Sequence, residues 1–243
     1  MEVDYKILHL NRREGTIMIG IIVASEKERN PFVDFFQDSL ISRQAGVYEM
    51  MFFEIAGHKV CLALSGFGEI AAASCTQYLI DHFNVNKIIN YGVVGSLVPC
   101  HAVNEVGFVR KIIHYDLDLT AGGYAIGEYP KHGSQFLMPA EDAISDLADY
   151  GLKEFICASG GKFIDGAEDK SKFRDGLGAD ICEMEAAGIV ITCNRNKIPC
   201  SFIKSISDGA DEGAEAFEIN VYEASRKCAK LIHSLLSGQK PLF

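Results

Sequence analysis

The sequence predicts an α/β fold: one domain in which a mixed, largely parallel, twisted sheet is flanked by helices. Two observations carry that expectation. Short β-branched runs alternate with longer segments of helical periodicity, the signature of βα units. The run at 18–24 (MIGIIVA) is also apolar throughout, as strands covered on both faces are, and 87–93 (KIINYGV) reads as another buried strand. A chain of 243 residues suits a single domain of this class and can bury a core without metals or disulfides.

The elements follow in order. After the strand at 18–24, a helix is expected from about residue 26, where Phe32, Phe35 and Phe36 recur at helical spacing. VYEMMFFEI and HKVCLALS read as strands around a turn at Gly57, and Gly66, Phe67 and Gly68 then open the helix EIAAASCTQYLIDHF. Beyond the strand at 87–93 comes another, GFVRKIIHY. Residues 116–139 are rich in Gly, Tyr and Pro, and a loop that long is usually a lid or a subunit contact. A helix over 140–152, the strand EFICAS and a polar, glycine-containing loop follow. DICEMEAAGIVITCNRN begins as a strand and turns into a helix, Pro199 punctuates it, CSFIKSIS is the last strand, and 217–236 forms a closing amphipathic helix. Residues 1–17 carry Glu2, Asp4, Arg12, Arg13 and Glu14, too many charges for a signal peptide. They read as an extension ahead of a domain of residues 18–243, with strand addition to a neighbour as the alternative.

Composition excludes several classes. With 23 basic and 33 acidic side chains the formal charge is −10, which argues against a nucleic-acid partner. No apolar run approaches the roughly 20 residues that a bilayer needs, so no membrane association is expected. The eight cysteines are scattered through apolar stretches with no CxxC and no Cys/His cluster. Reduced, mostly buried thiols, a cytoplasmic location and no metal are expected.

Several motifs bear on chemistry. SGFGEIAA has the outline of a dinucleotide-binding turn, but the next strand ends at Asn90, Tyr91 and Gly92 without the acid that holds a ribose hydroxyl. No nicotinamide or flavin cofactor is expected. ASEKER stands at the carboxyl end of the first strand, where open α/β sheets place ligands. Glu26 and Glu28 there are either first-turn acids favoured by the helix dipole or a catalytic carboxylate, which that dipole would tend to keep ionised. EMEAAG carries Glu183 and Glu185 around Met184, and SDGAD follows the last strand with Ser207 and Asp208, the latter a helix cap or a site acid. Three acidic motifs at three strand ends describe one cleft better than three unrelated caps.

MIGIIVASEKE, SGFGEIAAA, IINYGVVGSL, HYDLDLTAGGY, SGGKFIDG, DICEMEAAGI and IKSISDGAD together resemble the 5′-methylthioadenosine/S-adenosylhomocysteine nucleosidases, of the purine nucleoside phosphorylase-like superfamily. The resemblance runs from Met18 to the last helix. It implies a homodimeric hydrolase, without a cofactor, for the N-glycosidic bond of 5′-modified adenosines. Glu28 matches the acid that activates water, and Asp208 the acid that protonates adenine N7. Glu185 matches the carboxylate that holds the ribose hydroxyls, with Met184 against the sugar and Glu183 and Ser207 beside these motifs. Phe163 matches the aromatic stacked on adenine, the Ile164 backbone reads the purine edge, and Phe217 is a wall near the 5′ group. Tyr124 and Pro130 match the loop lent to a partner's pocket. Asp208 would have to be protonated as the base leaves, which a dry cleft containing other acids favours. Where relatives carry a serine that supports the catalytic acid, this chain has Val93, and Lys204 replaces an arginine near that acid. Ser25, Phe67 and Gly122 alter the 5′ pocket, which is expected to weaken the preference for methylthio over hydroxyl. Phosphorolysis and ligand binding without turnover are the competing readings; acids in ASEKER and the apolar Val93–Val94 pair oppose a phosphate site.

Overall fold

The computed structural model describes residues 18–131, 133–145 and 147–239, so residues 1–17 of the expected extension lie outside it. β1 (Met18–Val23) enters α1 (Glu26–Phe35) through a capping box: Ser25 Oγ accepts from the Glu28 amide at 3.3 Å, and Glu28 Oε2 accepts from the Ser25 amide at 3.0 Å. Next come β2 (Leu40–Gln44), β3 (Glu49–Ile55), β4 (His58–Leu64) and α2 (Glu69–Phe83). β5 (Val85–Ser96) and β6 (Val106–His114) precede the long connection, which holds the short 3₁₀ turn Thr120–Gly122. The chain then forms β7 (Lys153–Ser159), α3 (Ala167–Leu177), β8 (Ile181–Glu183), α4 (Ala186–Asn196), β9 (Cys200–Asp208) and α5 (Ala214–Leu236).

The strands form one mixed sheet in the order β2-β3-β4-β1-β5-β8-β7-β6-β9. β9 also pairs in parallel with β5, from Ile88↔Cys200 to Gly95↔Asp208, so the last five strands close on themselves. The mixed α/β domain is as expected; the closure is an addition. α2 and α4 cover one face through Ala72, Cys75, Leu79, Ile189 and Val190. α1 and α5 cover the other through Phe32, Phe36, Cys228, Leu231 and Ile232. Each buried Leu, Ile, Val and Phe among them contributes about 1.5–3 kcal/mol by leaving water. α2 and α4 approach so closely that a Cβ on Gly188 would sit 2.0 Å from the Glu69 carbonyl oxygen.

Three local expectations fail. The edge strand β2 was not foreseen, and α3 replaces an expected polar loop. The helix expected over 140–152 is replaced by turns and one 3₁₀ turn, Leu147–Tyr150. Its backbone groups are taken by neighbours: the Ala140 amide donates to Asn194 Oδ1 at 2.9 Å, the Ile144 amide to Ser201 Oγ at 3.1 Å, and the Glu141 carbonyl accepts from the Cys200 amide at 3.0 Å. Ala143 and Leu147 still bury the stripe that suggested a helix. The eight cysteines are unbridged, all but Cys100 buried. Among the described residues, no helix is long and apolar enough to cross a membrane.

Candidate active site

The carboxyl ends of β1, β8 and β9 open into a cleft of about 860 Å³. Glu28, Phe67, Val93, Phe163, Ile164, Glu183, Met184, Glu185, Ser207, Asp208 and Phe217 all line it. Tyr124 and Pro130 do not; both are exposed on this chain's long connection, as is Gly122. The phenyl rings of Phe163 and Phe217 meet edge to face at 5.8 Å and form an aromatic wall. Phe67 is 68% exposed on the cleft.

Glu28 is buried although it belongs to the first turn of α1. Its Oε1 accepts from the Val93 amide at 3.1 Å and its Oε2 from Ser25 Oγ at 2.9 Å. Burial raises its pKa, against the opposing pull of Lys204 and these hydrogen bonds, so desolvation works against the expected help of the helix dipole. Room for the carboxylate comes from Gly92, whose Cβ would fall 2.4 Å from Oε1. Ser25 lines the cleft as well, and its hydroxyl donates to Glu28.

Glu183 and Glu185 follow one another on the turn from β8 into α4 and divide sharply in character. Burial pushes Glu183 up, but Lys204 at 3.0 Å and the amides of Glu185 and Ala186 outweigh it and hold its pKa below the usual value. Its oxygens are thus engaged by the protein. Glu185 accepts from the Gly68 amide at 3.0 Å, and burial together with the charge of Glu183 raises it to about 8. The glycine-rich turn therefore serves a carboxylate: Gly66 and Gly68 take φ of +83° and +91°, which allows the Gly68 amide to face Glu185.

Asp208 ends β9 and caps no helix, since Gly213 is the N-cap of α5. Its Oδ1 accepts from Ser207 Oγ at 2.6 Å, so a hydroxyl supports it despite Val93. Lys204 does not stand beside it but pairs with Glu183. The cation at Asp208 is Lys170 of α3, wholly buried, with Nζ 2.5 Å from Oδ2 and 2.6 Å from the Gly209 carbonyl oxygen. Where acids were expected around Asp208, its direct charged partner is thus a lysine. Lys170 escaped sequence reasoning because AEDKSKFRDGL looks like a solvated loop. Its only signal is a lysine four residues after Gly166, the helix N-cap, which is not diagnostic. Outside the cleft, Glu69, His114 and Asp116 bring possible ligand atoms within 4.8 Å of one another at a half-buried to exposed position.

Carboxylates gathered at strand ends of a mixed α/β core share this cleft with the aromatic pair Phe163 and Phe217, the setting of an α/β enzyme site. The chain belongs to the phosphorylase superfamily, whose family model matches residues 18–237. Its place there is with the 5′-methylthioadenosine/S-adenosylhomocysteine nucleosidases. One such nucleosidase, from Shewanella piezotolerans, is 30% identical over 226 residues, covering 90% of this chain and 98% of the relative. An aminodeoxyfutalosine nucleosidase from Campylobacter jejuni is 29% identical over 205 residues, 81% of this chain and 88% of that one. Among solved structures, a Colwellia psychrerythraea methylthioadenosine/S-adenosylhomocysteine nucleosidase in complex with adenine has a TM-score of 0.79 at 28% identity, covering 94% of this chain and 98% of that one. A futalosine hydrolase mutant of Helicobacter pylori has a TM-score of 0.83 at 25% identity, covering 92% and 100%.

Proposed function

We propose that this enzyme hydrolyses the N-glycosidic bond of 5′-substituted adenine nucleosides and releases adenine. The observation that carries the reading is the convergence of Glu28, Glu185 and Asp208, all buried, in one cleft faced by Phe163 and Phe217. Breaking a ribosyl C–N bond places positive charge on the sugar and negative charge on the purine, so a carboxylate and a proton donor each act where charge develops. Glu28 polarises the attacking water, Glu185 holds the ribose hydroxyls beside Met184, and Asp208 protonates N7. Phe163 stacks on the base, the Ile164 backbone reads its edge, and Phe217 walls the 5′ side. No cofactor or metal enters this scheme. Phosphorolysis is disfavoured because the cleft's cations are committed: Lys27 pairs with Glu218 and Lys162 with Asp169.

The 5′ substituent is the open choice. Relatives at similar identity bear methylthioadenosine and aminodeoxyfutalosine names, and exposed Phe67 leaves one wall of the cleft adjustable. The chain acts as a homodimer in which residues 116–139, with Tyr124 and Pro130, close the partner's cleft. Measuring kcat/KM for adenine release from methylthioadenosine, S-adenosylhomocysteine, aminodeoxyfutalosine, 5′-deoxyadenosine and adenosine tests the reading. Release from at least one 5′-substituted nucleoside, with adenosine a competing substrate, supports it; release from none overturns it.

A further inference from the structure

Lys170 has no part in that scheme, yet α3 carries it inward to full burial on the acid that faces the base. Burying an ammonium costs several kcal/mol unless it is paired and hydrogen-bonded, and here both acceptors are within 2.6 Å: Asp208 Oδ2 and the Gly209 carbonyl oxygen. Space for the pair is made by Gly95 of β5, whose Cβ would lie 3.0 Å from Asp208 Oδ2 and 3.4 Å from Lys170 Nζ. Asp208 lines the cleft and Lys170 does not, so the lysine reaches the ligand only through the carboxyl group. The other groups facing the pair are Ser207 on Oδ1, the Cys182 thiol of β8, which burial pushes up to about 12, and Glu183, held by Lys204. Glu212 accepts from the Gly209 amide at 2.7 Å. None of these offers Asp208 an ammonium proton.

We propose that Lys170 is a positioning residue that stores the proton which Asp208 hands to the departing purine. The inference rests on the nucleosidase reading above. As C1′–N9 breaks, its electron pair leaves with the purine. The ammonium of Lys170 gives a proton to Asp208 as Asp208 gives one to N7, so Lys170 ends neutral and Asp208 ends as a carboxylate. The water oxygen bonds to C1′ and its proton passes to Glu28. When adenine leaves, solvent in the cleft returns a proton through Asp208 to Lys170, and Glu28 releases its own. Lysine suits this task where arginine does not, because a guanidinium cannot be deprotonated.

The test is kcat against pH at saturating substrate for the wild type, Lys170→Met, Lys170→Arg and the exposed control Lys172→Met. Melting and adenine binding report folding. A pair that keeps its proton on nitrogen sustains turnover to alkaline pH, whereas a lone carboxyl must take its proton from solvent. Lys170→Met is therefore expected to keep turnover within about threefold at pH 5 while its alkaline limb moves down by about two pH units. Lys170→Arg is expected to lose about 10²-fold in kcat, with a smaller change in KM. Lys172→Met should match the wild type. Unshifted profiles in Lys170→Met, or full kcat in Lys170→Arg, would overturn the proposal. If both variants fail to fold, the wild type decides: its alkaline limb should move down on warming, as an amine's ionisation does, and an immobile limb contradicts it. A wild type that releases no adenine from any nucleoside overturns the functional reading itself; a working wild type with unshifted variants overturns only the role of Lys170.

Discussion

Glu185 has a proton balance that separates it from Glu183, two residues away. In the folded protein its carboxyl is raised to about 8 from an ordinary 4.5, by burial first and then by the charge of Glu183. Between those pH values the folded chain keeps a proton that the unfolded chain has released, so the cost to folding grows as pH rises through that window and levels off above it. Glu185→Gln is expected to melt close to the wild type at pH 5 and at least about 3 °C higher at pH 8. Equal melting temperatures at pH 8 would show that the group carries no such burden. At Asp208, the amide of Asp208→Asn cannot pass on a proton; kcat should fall ~10²–10⁴-fold while adenine still binds. These acids were legible in the sequence because each sits at the end of an apolar strand, where a charge has no packing reason to be. Their partners were not. Lys170 lies in a charged segment that gives no sign of which lysine turns inward, and Lys204 reads as a neighbour of Asp208 until the register directs it to Glu183.

At the scale of elements, the helix start at α1 and the bare backbone of β5 together build the setting of Glu28. The capping box fixes one carboxylate oxygen, the Val93 amide fixes the other, and Gly92 leaves the volume in which both contacts fit. Gly92→Ala would put a methyl 2.4 Å from Glu28 Oε1, so the carboxylate must move. A shift of that size is expected to cost about 10²-fold in kcat/KM, with adenine binding retained. Measuring both quantities on the variant checks it, and unchanged kcat/KM would detach Glu28 from the reaction. The alternation of strands and helices was readable because buried strands here are long apolar runs and α2 and α4 carry clear periodicity. Two segments misled. The stretch 140–152 has a helical stripe, but neighbouring β9 and α4 claim its backbone groups. The polar α3 fully buries Lys170 and packs Phe173 and Leu177 only in part, so the apolar stripe that marks a helix is thin.

For the whole molecule, closure of the sheet through β5 and β9 brings Val93 and Asp208 onto adjoining strands and the cleft into one piece. Local patterns show strands but not their partners, which is why the closure was out of reach of the sequence while the strand count was nearly within it. Association is argued at the same scale: Tyr124 and Pro130 are exposed on this chain and do not line its own cleft. Sedimentation at micromolar concentration is expected to give a dimer, and a fully active monomer would exclude a shared cleft. The central claim, that water and not phosphate attacks the sugar beside Glu28, is tested most directly by identifying the sugar product. Methylthioadenosine would be turned over in ¹⁸O-labelled water with and without phosphate, and the released sugar analysed by mass spectrometry. The account predicts adenine release that does not depend on phosphate, with one ¹⁸O delivered to C1 of methylthioribose. A phosphate-dependent reaction yielding methylthioribose 1-phosphate would contradict it.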